Sequence, residues 1–192
     1  MYKLFFKRPL DILISVLAFL LFLPLGLLIS ILILASMGRP IFFVQRRPGL
    51  NGQIFNLIKF RTMNVPSNHQ ESDLKRVTAL GKFLRSTGLD EIPEFINVIK
   101  GEMSIIGPRP LLEEYLEKYT LFQKRRHDLR PGITGLAQVS GRNNLDWKNK
   151  FRYDVQYVRS VSFKMDFYIL VKTFKTVILR ENFKITGEDK FK

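Results

Sequence analysis

"ILISVLAFLLFLPLGLLISILILASMG", residues 12–38, is a run of 27 residues without a charge. It exceeds the ~20 residues that carry a helix across a bilayer, and a soluble buried helix is not expected to match its length and uniformity. A secretory signal has a shorter apolar stretch, usually ~7–15 residues. Two readings remain: a helix that spans the membrane, or a hairpin that enters and leaves on one side. Pro24 sits in the middle of the run with Gly26 just after it. A proline removes a backbone donor and kinks or breaks a helix. Each arm would be about 12 residues, or ~18 Å at 1.5 Å per residue, short of a ~30 Å hydrocarbon core. Lys3, Lys7 and Arg8 precede the run, and Arg39, Arg46 and Arg47 follow it. Basic flanks prefer the cytoplasmic side, so two basic flanks favour the hairpin. A kinked spanning helix is the plainer alternative.

Working outward, the 192 residues hold 31 Lys+Arg against 17 Asp+Glu, a formal charge of +14. So basic a chain attracts anions: nucleic acid, anionic lipid or phosphorylated substrates. There is no cysteine, which excludes disulfides and thiolate chemistry and takes the commonest sulfur ligands from any zinc site. The stretch 39–63 predicts a β-hairpin, with strands over 41–44 and 53–60 and a turn at Pro48, Gly49, Asn51 and Gly52. Residues 64–73 read as a polar loop, where His69 is expected to be solvated. Residues 111–127 predict a helix with Leu112, Tyr115, Leu116, Tyr119 and Phe122 on one face and acids before bases, matching the helix dipole. Residues 130–144 hold too many glycines for a helix and read as loop with short β-pieces. Phe163, Phe167, Leu170, Val171, Phe174, Val177 and Ile178 recur at helical spacing among lysines and arginine. That pattern fits a core-facing helix or an amphipathic helix lying in the membrane interface.

"GLDEIPEF" (88–95) puts two adjacent carboxylates, Asp90 and Glu91, before Pro93. Proline is tolerated in the first turn of a helix, so the pair is placed at or just before a helix N-terminus, where anions are stabilised. An aspartate there can be a plain N-cap. It can also be an ionised carboxylate kept ready as a nucleophile or metal ligand. Basic residues set in glycine and proline recur in "KFRTM" (59–63), "RSTGLDE" (85–91), "GPRP" (107–110), "RPGITG" (130–135) and "SGRNN" (140–144). Arg109, between two prolines, is held on a stiff backbone, which cuts the ordering cost of a phosphate contact. Acids among arginines on a membrane-anchored chain point to a polyanionic substrate, with Mg²⁺ bridged by carboxylate.

The long ordered markers "FFVQRRPG" (42–49), "IKFRTM" (58–63), "LRSTGLDEIPEFINVIKGEMSIIGPRP" (84–110) and "LRPGITGLAQVSGRN" (129–143) resemble the monotopic phosphoglycosyl transferases, the bacterial sugar transferases that start polyprenol-linked glycans. The resemblance covers almost the whole chain and is to the small, PglC-like type. It implies transfer of a sugar 1-phosphate from a UDP-sugar to undecaprenyl phosphate, with release of UMP, through a covalent phospho-sugar on Asp90. Glu91 would be the catalytic partner, in Mg²⁺ binding or proton removal, so Asp90 and Glu91 are also the metal candidates. Lys59, Arg85 and Arg109 are the first candidates for phosphate contacts, with Arg61, Arg130, Arg142 and Asn143 further substrate-binding candidates. The implied fold is α+β and mainly helical. A re-entrant membrane segment (1–38) would join a catalytic domain (39–192) that has interfacial helices and lies on the cytoplasmic face of the bacterial inner membrane. Family members often have Ser-Pro at the break; here it is Leu23–Pro24. Expected partners are the UDP-sugar, the polyprenol phosphate, the membrane and downstream glycosyltransferases, with no nucleic acid. The competing reading is a membrane-tethered basic module that binds nucleic acid or anionic lipid without catalysis. It leaves the acid pair among arginines without a purpose.

Overall fold

The structure, a computed structural model, describes residues 1–66, 73–141, 145–178 and 191. His69, Arg142, Asn143 and Arg180 lie outside the described residues. A π-turn at Tyr2–Phe6 leads into α1 (Lys7–Met37), followed by the strands β1 (Phe42–Pro48) and β2 (Ile54–Phe60). Short helices α2 (Asp73–Arg76), α3 (Ala79–Thr87) and α4 (Glu94–Lys100) come next, then strand β3 (Ser104–Ile106). The second half contains α5 (Leu121–Lys124), β4 (Gly132–Thr134), α6 (Leu136–Gly141), α7 (Trp147–Arg159) and α8 (Phe163–Ile178). The fold is thus mainly helical with two small sheets. β1 and β2 are antiparallel, with Phe42 opposite Phe60 and Pro48 opposite Ile54, and β3 and β4 are parallel.

α1 is one helix through Leu23 and Pro24. The break expected at Leu23–Pro24 is therefore not there: proline removes one backbone donor, and the helix continues through it. Its polarity is turned inside out. Lys7, Asp11 and Ser15 are buried, followed on the same side by Phe22, Leu25, Ile29 and Ile33, while Leu13, Leu17, Leu21, Leu28 and Ile31 face outward. By length and composition this segment can cross a membrane. Both ends of α1 are tied to the rest of the fold. Arg8 donates to the carbonyls of Val98 (2.7 Å) and Met103 (3.1 Å). Arg61 donates to those of Met37, Gly38 and Arg39 at 2.6–3.1 Å, a cation placed where the helix leaves its last acceptors unmet.

Lys7 Nζ lies 2.9 Å from Asp166 of α8 and 3.8 Å from Asp11. Tyr2 and Tyr157 also donate to Asp166, at 2.7 and 2.6 Å. Asp11 accepts from Ser104 Oγ (2.6 Å) and from the Ile105 amide (3.3 Å) in β3. This buried network joins the two helices with the most exposed apolar surface to β3. In α8, Asp166 and Ile169 point inward. Of the expected stripe, Phe163, Phe167, Val171 and Phe174 face away from the core and Leu170 packs against it.

The helix expected over 111–127 is broken. A 3₁₀ segment spans Glu113–Lys118, Tyr119 is extended, and Thr120 starts α5 with a capping box to Gln123. Thr120 competes for the backbone, and the break lets Tyr115 and Tyr119 both pack with Phe151 of α7. The stretch 130–144, read as loop with short β-pieces, holds such a piece in β4 and then a short helix, α6, that the glycine count did not predict. Its glycines serve backbone contact. A Cβ on Gly132 would lie 2.0 Å from the Gly107 amide nitrogen, so "GPRP" and "RPGITG" can lie against each other only with glycine at this contact.

Asp166→Ala should lower unfolding stability by about 3–5 kcal/mol, because it leaves the Lys7 ammonium buried without its closest partner. Thermal unfolding of the purified chain in detergent measures this.

Candidate active site

Assembly of the site begins with β2 and α4. On the strand's two-residue repeat, Phe55, Leu57 and Lys59 share one face, and the first two are buried. Asn97 of α4 is fully buried and acts as an extra edge to the strand. Its Oδ1 accepts from the Ile58 amide (3.1 Å), and its Nδ2 donates to the Asn56 carbonyl (2.7 Å). Docked this way, α4 brings Glu94 beside Lys59. α3 ends on Gly88 in the left-handed conformation (φ 72°), and a single 3₁₀ turn, Leu89–Glu91, carries the acid pair.

Lys59 Nζ donates to Glu91 Oε1 at 2.7 Å and lies 3.0 Å from Glu94 Oε1. Arg109 Nη1 reaches the same Glu91 oxygen at 3.3 Å. Asp90 is buried and, among the described residues, its carboxylate accepts no hydrogen bond. It caps neither the 3₁₀ turn nor α4, whose N-cap is Pro93, so the plain N-cap explanation fails. The helix N-terminus is also not what holds its charge. Burial and the neighbouring Glu91 push the Asp90 carboxyl up, and Lys59, Arg85 and Arg109 pull it back.

The other two acids diverge. Burial works against charge on Glu91, but Lys59 and Arg109 outweigh it and hold its carboxyl at about 2. Glu94 is 3% exposed, and burial pushes it up to about 7 despite Lys59. Lys59 itself is raised, because Glu91 and Glu94 overcome its burial.

The expected cations separate into two groups. Lys59, Arg85 and Arg109 act on the acid pair, and Arg85 is steadied by Thr62 Oγ1 at 2.9 Å. Arg61 instead caps α1. Arg130 donates to the Gly101 carbonyl at 2.8 Å, at the far end of α4 from Asp90. Residues absent from the sequence reading also shape the site. Arg126 pairs with Asp154 (2.8 Å), both buried, and donates to the Arg109 carbonyl (2.6 Å), fixing the stiff Pro-Arg-Pro segment. His127 is buried, with Nδ1 3.0 Å from the Gly49 carbonyl, and burial lowers it to about 4, so it is neutral at pH 7. Glu94 carried a readable signal, since it lies one helical repeat after Asp90.

Among the described residues no three acidic or histidine side chains are grouped to hold a metal alone. Mg²⁺ commonly uses one or two carboxylates and completes its shell with water and substrate phosphate. The unbonded Asp90 carboxylate beside Glu91 fits that sparse kind of site.

The family model described as bacterial sugar transferase matches residues 2–180. The chain is 45% identical over 155 residues to the uncharacterized sugar transferase EpsL of Bacillus subtilis, covering 79% of this chain and 77% of that one. It is 40% identical over 193 residues to the exopolysaccharide production protein ExoY of Sinorhizobium fredii, covering 90% and 85%. A UDP-glucose:undecaprenyl-phosphate glucose-1-phosphate transferase of Klebsiella pneumoniae is 40% identical over 182 residues, 88% of this chain and 39% of that protein.

The Glu94 carboxyl titrates near 4.5 when unperturbed and near 7 in the fold. Its protonated form therefore stabilises the fold fully below pH ~4.5, and that stabilisation is lost as the pH rises through about 7. Glu91 and His127, both depressed, act in the opposite sense on the acid side, losing their stabilisation as pH falls towards 2 and through 4 respectively. Between pH 5 and 8, Glu94→Gln should gain up to ~3 kcal/mol relative to wild type, read from unfolding curves across that range.

Proposed function

The chain belongs to the bacterial sugar transferase family, and from that premise we propose that it transfers a sugar 1-phosphate from a UDP-sugar to undecaprenyl phosphate in two steps through Asp90. The Asp90 carboxylate attacks the β-phosphorus. A P–O bond forms to Asp90, the bond from that phosphorus to the bridging oxygen breaks, and UMP leaves with the electron pair. The lipid phosphate then attacks the same phosphorus, releases Asp90 and forms the polyprenol diphosphate-sugar. The observation that carries this reading is the asymmetry of the pair: Glu91 is held by two cations, while the buried Asp90 carboxylate accepts no hydrogen bond among the described residues. A nucleophile needs free lone pairs, and its partner needs a fixed place.

Lys59, Arg85 and Arg109 offset the charge of two anionic reactants, which would otherwise repel both each other and the acid pair. Glu91, with one oxygen of Asp90, would hold Mg²⁺ together with the diphosphate, leaving the other Asp90 oxygen for phosphorus. When bound, the ion neutralises developing charge on the phosphate oxygens. Arg142 and Asn143 remain candidates for the nucleotide-sugar side.

The same reading places the chain on one leaflet. One face of α1 packs on the folded body, and both of its ends hydrogen-bond to that body. A helix bound in this way cannot send its ends to opposite sides of a bilayer without taking the body with it. This supports a membrane segment whose two ends stay on one side, without the break of a helix-break-helix, with α8 in the interface and the site on the cytoplasmic side, where soluble UDP-sugar and lipid phosphate meet.

Two experiments test these readings. Purified protein is incubated with Mg²⁺ and a panel of UDP-sugars, and its intact mass is measured. A phospho-sugar adduct should appear with wild type and vanish with Asp90→Asn. UMP release on adding undecaprenyl phosphate should fall by ~10⁴-fold or more in the variant, the scale of losing a nucleophile. No adduct and no UMP with any sugar would refute the transfer. For topology, single cysteines introduced at Lys3 and Arg39 in this cysteine-free chain should both resist an impermeant thiol reagent in intact cells. Labelling of either one from outside would refute the re-entrant arrangement.

A further inference from the structure

Glu94 is not needed to explain the chemistry above, yet it is a nearly solvent-free carboxylate 3.0 Å from Lys59. We propose that Glu94 is a positioning residue: it holds the Lys59 ammonium on Glu91 and away from Asp90, so that Asp90 stays unpaired. The proposal rests on the reading of Asp90 as nucleophile.

The ammonium has three donors on a flexible four-carbon stem. Two are engaged, one by Glu91 (2.7 Å) and one by Glu94 (3.0 Å). Asp90 is the next anion that Lys59 senses. Without Glu94, Lys59 keeps one anchor and gains the freedom to turn onto Asp90. A lysine hydrogen bond there would occupy the lone pairs that must reach phosphorus and would lower the carboxylate's nucleophilicity.

The fold supports Glu94 for this task. Asn97, three residues on, is locked to both backbone neighbours of Leu57 in β2 and also donates to Glu102 at 2.6 Å. The backbone under Glu94 is therefore fixed relative to the strand that carries Lys59. At 3% exposure, Glu94 has almost no surface with which to touch substrate. What it can do is set where Lys59 sits, which is a steric and hydrogen-bonding role. An acceptor oxygen at that point suffices, so Glu94→Gln should substitute. Glu94→Asp draws the oxygen back by about one bond, ~1.5 Å, and should not.

The test uses the full chain in detergent with Mg²⁺ and UDP-glucose, UDP-galactose or UDP-N-acetylgalactosamine, following the rate of adduct formation by mass and of UMP release. Glu94→Ala is expected to slow adduct formation by about tenfold to a hundredfold, the scale of a misplacement near 1 Å. The KM for the UDP-sugar should stay within about threefold, and Glu94→Gln should keep its rate within about threefold of wild type. Glu94→Ala at the wild-type rate, Glu94→Gln as slow as Glu94→Ala, or a loss confined to KM would overturn the proposal. If Glu94→Ala shows no cooperative melting transition, Glu94→Asp decides. Slowing by about tenfold with Glu94→Gln intact supports the role, and a wild-type rate removes it. Asp90→Asn separates the two ideas. An active Asp90→Asn, or a wild type inert with all three sugars, brings down the nucleophile reading and this proposal with it. An inert Asp90→Asn beside a fast Glu94→Ala brings down the Glu94 role alone.

Discussion

Lys7 carries one positive charge into a buried site shared by two carboxylates, Asp11 and Asp166. Much of the remaining architecture follows from that contact. Asp166 belongs to α8, so the ion pair binds the two helices with the largest exposed apolar faces to each other. Asp11 grips Ser104 and the Ile105 amide, so the same contact fixes the register of β3. β3 runs directly into Gly107–Pro110, and Arg126 holds the Arg109 carbonyl from the other side. The guanidinium that neutralises Glu91 thus stands at the end of a continuous path from the foot of α1. Removing two charges from water is costly, and the extra donors from Tyr2, Tyr157 and Ser104 offset part of that cost.

The second constraint is electrostatic. Asp90, Glu91 and Glu94 lie within about one helical turn of each other, and Lys59, Arg85 and Arg109 converge on them from three other segments. Shared burial separates the acids by partner: the doubly paired Glu91 stays ionised, Glu94 resists ionisation, and Asp90 lies on the raised side without a direct bond. A large positive charge over the whole chain is consistent with this arrangement, because the anions that matter are concentrated at one place and leave the remaining surface free to attract phosphates.

The sequence made some of this legible. The β1–β2 hairpin followed from two apolar runs around a turn at Pro48, Gly49, Asn51 and Gly52, and the start of α4 from Pro93, because local chemistry decides such elements. The break over 111–127 was hidden, because the apolar spacing fits a helix, while Thr120 and the stacking around Phe151 favour separate turns. The resemblance makes Arg61 and Arg130 substrate-binding candidates. Only the fold shows that one caps α1 and the other bonds at the far end of α4. Arg126 and Asp154 are 28 residues apart, and no periodicity connects them. Lys59 could have been singled out further, since a lysine on the strand face of Phe55 and Leu57 demands a buried partner.

In α1 and α8, exposed apolar surface goes together with buried charge. In a soluble protein, α1 and α8 would turn their large side chains inward and their lysines outward. Here Lys7, Arg8, Asp11 and Asp166 make internal bonds, and leucines and phenylalanines face out. Such a distribution suits faces that meet an apolar surrounding rather than water. Polar groups on the lipid-facing elements must then find partners inside, because none are available in hydrocarbon. Those inward-turned groups are the ones that fix β3 and the end of α4. The exposed apolar faces of α1 and α8 and the anchoring of β3 and the end of α4 therefore have one physical origin, the inward turn of the helices' polar groups.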